Sequence, residues 1–333
     1  MRTAKHIEEA VTVQEKSSRR QLLEKCWPWI RRILTLGFFA LIIALLVSHA
    51  RTVDWTEVRS ALLSYSRLTV ALALVLAAFA FLIYSCYDLF GRHFIKSNPS
   101  RIRTMAVAFI SFAFNLNLGA MVGSIGLRYR MYSKLGLGKA EIAHIVGFTV
   151  TTNWLGYLLL SGIAFASGAI DVPFDWNISG PALKILGWAF IVGVALYVFL
   201  CRFSPRRSWH IRGHELRLPS ARIALMQLLM ASLHWLLIGG VMYCFLYTRV
   251  DFLPVFGAVL VSAIAGAIAH IPGGLGVLEA VFIALLGDEV GKSQLFAALI
   301  AYRAVFYLIP LIIALITYLY MEVNLEVRDT DAG

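Results

Sequence analysis

Seven stretches of this chain contain no Asp, Glu, Lys or Arg: residues 33–48, 68–87, 104–127, 142–170, 185–201, 223–248 and 252–278. An eighth, 304–321, continues from Arg303. About 20 apolar residues suffice for an α-helix to cross a bilayer, and most of these stretches approach or exceed that length. Inside hydrocarbon every backbone N–H and C=O must find its partner within the protein, so such stretches have to be helical. Only 15% of residues are charged, against about a quarter in soluble domains. The sequence predicts an all-α polytopic membrane protein with about six spanning helices and two re-entrant helical hairpins, making eight hydrophobic segments.

The formal charge of +11 and pI of about 9.7 would point to nucleic acid in a soluble protein. Here the basic residues flank apolar spans, where they set topology and face anionic lipid. No nucleic-acid motif accompanies them, so a nucleic-acid partner is not expected. Cys26, Cys86, Cys201 and Cys244 are scattered and form no CxxC or Cys/His cluster. Neither a disulfide framework nor a metal site is expected, and no cofactor motif or P-loop is present. About 32 polar residues precede the first span, long for the leader of a cleaved signal peptide. Ser48-His49-Ala50 resembles a cleavage site only weakly, and the span reads as a retained anchor.

Counting Lys and Arg in the loops orients the chain, because basic residues concentrate on the cytoplasmic side. Residues 1–32 carry eight, 88–103 carry Arg92, Lys96, Arg101 and Arg103, and 202–222 carry six Arg. These segments are expected inside, with both termini cytoplasmic. Segments 49–67, 171–181, 249–253 and 288–293 are expected outside. Residues 6–25 could form a short amphipathic helix on the membrane surface, but no deep apolar face repeats cleanly, and partial disorder is expected there.

One segment breaks simple alternation. If 104–122 crossed outward, Arg128, Arg130, Lys134 and Lys139 would lie outside, and so would the six Arg of 202–222. Both conflicts vanish if 104–135 enters from the cytoplasm and returns to it. Asn115, Asn117, Gly119, Gly123 and Gly126 interrupt the apolar run and mark the turn. The same device recurs where apolar 254–269 and 277–287 flank His270-Ile-Pro-Gly-Gly-Leu-Gly276. The two halves, about 33–170 and 182–322, then contain the same four elements in opposite orientation. Such inverted repeats are common among secondary transporters. The expected organisation is a cytoplasmic segment 1–32, one transmembrane domain 33–322 and a short cytoplasmic tail 323–333.

The most informative stretch is 270–280, HIPGGLGVLEA. Pro272 breaks a helix, and Gly273, Gly274 and Gly276 let the chain turn. The next half-helix then presents backbone N–H groups, which favour an anion such as phosphate. The competing reading is that these glycines only permit close helix packing. Glu279 and Arg303 lie inside apolar runs, where an unpaired charge is expensive, so a Glu279–Arg303 pair is expected. It either locks the hairpin to the last span or lines a substrate path. Arg128 and Arg130 do not share a helix face. One could face a cavity, Arg128 being the candidate, and the other the headgroups, or both could be simple cytoplasmic anchors, with Tyr129 and Tyr132 as interface aromatics. His144 and His234 read as helix–helix contacts, and His270 adjoins the proline break. Pro310 is expected to kink the last span.

At HIPGGLGVLEA, with Tyr302-Arg303 and Pro310 downstream, residues 30–322 resemble the flippase-like membrane family related to the lysylphosphatidylglycerol synthase transmembrane region. That family includes inner-membrane proteins of Gram-negative bacteria. The resemblance implies the bacterial cytoplasmic (inner) membrane and a lipid translocator, with membrane phospholipids or a lipid-linked precursor as the partner. In bifunctional relatives a separate cytosolic domain makes the aminoacylated lipid, and no such synthase domain is recognised here. A non-enzymatic role is expected. The rival readings are an intramembrane lipid-modifying enzyme, for which no catalytic constellation is visible, and a non-transporting assembly factor. The site residues implied are Arg128, Arg303, Glu279, His270, Pro272, Gly273, Gly274, Gly276, Asn115, Asn117, Gly123 and Gly126.

Overall fold

The computed structural model describes residues 55–94, 99–168, 180–205, 208–211, 214–269, 274 and 276–331. The first apolar span, residues 1–32 and His270, Pro272 and Gly273 therefore lie outside the described residues, as does most of 171–181.

The described chain is almost entirely helical: α1 (Trp55–Leu63), α2 (Arg67–Gly91), α3 (Arg101–Leu118), a π-helical segment (Ala120–Leu127), α4 (Arg128–Lys134), α5 (Lys139–Ala166), α6 (Gly180–Phe203), α7 (Ala221–Cys244), α8 (Phe252–Ala269), α9 (Val277–Val290), α10 (Lys292–Arg303), a π turn (Ala304–Leu308) and α11 (Ile309–Asp331). Serines begin three of them. The hydroxyls of Ser66, Ser100 and Ser220 accept the backbone N–H of Thr69, Arg103 and Ile223, supplying partners for otherwise orphaned donors. Six helices are long and apolar enough to cross a membrane: α2, α5, α6, α7, α8 and the continuous rod 292–323. The protein is a multi-pass membrane protein.

Strands appear where none was expected. Ser208–Ile211 and His214–Arg217 pair as a two-stranded antiparallel hairpin within the arginine-rich 202–222 segment. Pro205 and Pro219 flank it, and neither can continue a helix.

Helix α2 packs against α3, α5 and α7 at the centre. Ala73, Ala77 and Ala80 form its inner stripe and are buried. Leu68, Leu72, Val75, Phe79 and Leu82 remain exposed on other faces, which suits a lipid solvent. Backbones approach closely where side chains are smallest. A Cβ at Gly156 would lie 2.4 Å from the Cβ of Ala231, joining α5 to α7, and one at Gly187 would lie 2.8 Å from the Gly162 carbonyl oxygen, joining α6 to α5. Between these helices a polar relay is satisfied internally. Tyr197 donates to Gln227 at 2.8 Å, Gln227 to Thr152 at 2.7 Å, and Thr152 to the Phe148 carbonyl at 2.8 Å.

Candidate functional site

Two helical hairpins dominate the interior. In the first, α3 ends at Gly119, whose φ of +84° belongs to the left-handed region. The Asn115 carbonyl accepts the Gly119 N–H at 3.0 Å, and the chain reverses into the π-helical segment. The returning arm lies directly on the outgoing one. A Cβ at Gly123 would sit 2.1 Å from the Asn115 nitrogen, so only glycine fits. Gly126 lies in the same π-helical segment. In the second hairpin, α8 packs against α9. Gly274 and Gly276 have φ of +55° and +79°.

Glu279 and Arg303 form the expected pair. Arg303 Nε donates to Glu279 Oε1 at 2.6 Å, and Nη2 donates to Oε2 at 2.9 Å. Nη2 also reaches the Gly274 carbonyl at 3.2 Å. The same carboxylate caps α9, because Oε2 accepts the Gly276 N–H at 2.9 Å. The pair remains partly open, with side-chain exposures of 14% for Arg303 and 22% for Glu279. The Arg303 guanidinium carbon lies 5.4 Å from the centre of the Tyr307 ring.

The π turn links this pair to the first hairpin. Ile309 N–H reaches back five residues to Ala304, in place of the usual four. The Tyr307 carbonyl in this turn accepts Asn117 Nδ2 at 3.3 Å, and the same nitrogen donates to Ala113 at 2.8 Å. Asn117 is buried, and its Oδ1 has no partner among the described residues. One turn of the last rod thus touches both glycine-broken hairpins. Pro310 follows directly after this π turn and the residue that closes it.

Arg128 is arranged differently. It is fully buried and does not line an open cavity. Nε and Nη2 hold the two oxygens of Asp88 at 3.0 and 3.2 Å, while Nη1 donates to the Ser124 hydroxyl and carbonyl at 2.9 and 3.2 Å. Tyr132 and Thr149 each donate to Asp88 at 2.7 Å. Tyr132, expected at the interface, is therefore a buried ligand of Asp88, whereas Tyr129 is exposed. Asp88 was missed from sequence. It lies 40 residues from Arg128, at the edge of an apolar run that reads as the start of a loop.

Arg130 faces α11 and is paired within the protein. It donates to Glu322 at 2.6 Å and to Tyr318 at 3.1 Å, and Lys134 shares the Glu322 carboxylate at 2.5 Å. His234 is buried and its Nδ1 hydrogen-bonds the Ala80 carbonyl at 3.0 Å, an α7–α2 contact. Among the described residues no three His, Cys, Asp or Glu gather where they could hold a metal ion.

Fold and site together define a polytopic membrane protein in which one glycine-broken hairpin is ion-paired to the last rod through Glu279–Arg303 and the other is hydrogen-bonded to it through Asn117–Tyr307. Residues 32–314 match the lysylphosphatidylglycerol synthase TM region, and the chain belongs to that family. It is similar to the inner membrane protein YbhN of Escherichia coli (strain K12), with 44% identity over 297 residues, covering 89% of this chain and 93% of that one. It is also similar to an uncharacterised protein of Synechocystis, 26% identical over 276 residues, covering 82% and 85% of the two chains. A phosphatidylglycerol lysyltransferase of Staphylococcus haemolyticus is 23% identical over 284 residues, which are 84% of this chain but 32% of that enzyme. The chain thus spans about a third of the lysyltransferase it matches. It is a multi-pass protein of the bacterial inner membrane.

Proposed function

We propose that this protein moves an anionic phospholipid, or a lipid-linked precursor, between the leaflets of the inner membrane. The observation that carries this reading is the Glu279–Arg303 pair, a partly exposed guanidinium at the second hairpin beside Tyr307, whose carbonyl is tied to the first. Arginine pairs with phosphate through two parallel N–H donors. The start of α9 adds a backbone N–H and the positive end of a helix. In the described arrangement Glu279 occupies both of these positions, holding Arg303 and the Gly276 N–H at once. A phosphodiester entering the site takes the place of that carboxylate, so Glu279 is the gate. The acyl chains stay in the bilayer, and no bond is made or broken. Arg128, locked to Asp88, holds the first hairpin in place. Similarity to a lysyltransferase named for phosphatidylglycerol supports an anionic glycerophospholipid as the substrate class.

The topology proposed with it has both hairpins re-entrant, 104–135 from the cytoplasm and 254–287 from outside, with both termini cytoplasmic. The test of function is a leaflet-labelling assay on purified protein in liposomes, using a fluorescent phosphatidylglycerol quenched from one side. Arg303→Gln is expected to abolish translocation in protein that still folds, and Arg303→Lys to retain part of it. The double variant Glu279→Gln/Arg303→Gln is expected to stay inactive. A well-folded double variant with full activity would overturn the reading.

A further inference from the structure

An apolar groove runs along α6, lined by no residue of either hairpin. Among the described apolar rods α6 is the most peripheral: only 17% of its most apolar window is buried. Ile191, Val194, Ala195 and Val198 form one stripe along it and face a groove of about 490 Å³. Leu159 of α5 and Leu228 of α7 close the sides. The lining is apolar until its last turn, where Arg202 continues the same stripe. From Ile191 to Arg202 the helix rises about 16 Å, a length that suits one extended acyl chain.

Arg202 gives the groove its polarity. Its side chain is exposed at the C-terminal turn of α6, and its guanidinium carbon lies 5.2 Å from the Phe203 ring centre. Among the described residues it has no carboxylate partner. Arg222 is exposed near the start of α7, six residues before Leu228 on the groove wall, which places a second positive charge towards the same end. A shallow apolar groove with a guanidinium at one end, and a second basic residue beyond it, matches an amphiphile with an anionic head.

We infer that this groove binds one acyl chain of an anionic phospholipid, with its phosphate at Arg202, as a fixed lipid distinct from any molecule handled at Arg303. The inference does not rest on translocation. It holds equally if the protein transports nothing.

The experiment uses full-length protein in phosphatidylcholine vesicles containing a trace of phosphatidylglycerol with a photoactivatable group on one acyl chain. The expected result is adduct on the peptide carrying 191–203, and less of it from a matched phosphatidylcholine probe. Arg202→Gln should lower the phosphatidylglycerol adduct about fivefold, the factor for one basic side chain at an anionic interface, and leave the phosphatidylcholine adduct unchanged. Ala195→Trp, which fills the trough, should remove the adduct from both probes while the Arg303 assay is unaffected. Equal labelling by the two probes with no response to Arg202→Gln would reduce the groove to ordinary solvating lipid and overturn the inference. So would a disulfide between Val198→Cys and a cysteine introduced into the apolar segment 33–48, or between two copies of Val198→Cys.

Discussion

Two arginines inside the described helices, Arg128 and Arg303, make the same chemical contact in opposite settings. Arg128 holds Asp88 through two nitrogens at 0% exposure for both side chains, and Tyr132, Thr149 and Ser124 satisfy the atoms left over. Arg303 holds Glu279 through two nitrogens but stays partly open, sharing its carboxylate with a helix N-terminus. The closed pair joins α2, α4 and α5, elements that have to stay together. The open pair joins the start of a half-helix to the rod beside a π turn. A buried pair broken on one side leaves an uncompensated charge, so the closed pair is costly to disturb. Under the proposed function, the open pair is the one that exchanges its partner for another anion. Identical residue chemistry therefore serves anchoring in one place and suits binding in the other, and solvent access with second partners decides which.

The largest effect separating the two is expected at Asp88. Asp88→Asn should destabilise the folded protein by about 3–5 kcal/mol, read as lost thermal stability in detergent, because it strands Arg128 without its partner. Adding Arg128→Gln should recover much of that loss. If Asp88→Asn is as stable as the parent, the distinction between a closed and an open pair collapses. Gly123→Ala comes next, at about 1–3 kcal/mol, since its new methyl meets the backbone of Asn115 and must push the hairpin arms apart. Glu279→Gln should cost about 2 kcal/mol or less, because charge-assisted hydrogen bonds are lost at a partly solvated site. The comparison sharpens if this variant also binds phosphatidylglycerol headgroups more tightly, measured by quenching in vesicles, and blunts if binding is unchanged. The smallest effect is expected at Glu322. Glu322→Gln should change stability by about 1 kcal/mol or less, since the amide oxygen still accepts from Arg130 and Lys134 and no helix cap is lost with it. A cysteine at exposed Ser133 should stay unlabelled by an impermeant reagent added outside, and strong external labelling would remove the cytoplasmic hairpin from the account.

Much of this was legible in the residues because hydrocarbon leaves few choices. Five of the expected spans reappear as long helices, and Gly119 and Gly123 mark a real reversal. Glu279 and Arg303 could be paired on paper because both sit in apolar sequence and few partners are available there. Asp88 could not, since at the edge of an apolar run an acid reads equally well as a solvated loop residue. Hydropathy carries no mark for three-dimensional neighbours 40 residues apart. The two π segments were also invisible, because an extra residue per turn changes neither composition nor apolar spacing over so short a length. The strand pair in 208–217 escaped for a related reason. Its signal is a few alternating residues between prolines, inside a segment that otherwise announces only positive charge.

The π turn at 304–308 has a mechanical consequence. It stores one residue more than an α-helical turn of the same rod would hold. Expelling that residue would slide α10 along the axis by about 1.5 Å and swing it by about 100° relative to α11. Arg303 is the last residue before the turn, and the Tyr307 carbonyl within it is tied to Asn117. A single unit of register, gained or lost there, would carry the guanidinium from one side of the rod to another while α11 kept its place. The rod that looks the most continuous in the molecule is therefore also the one that can be wound like a key.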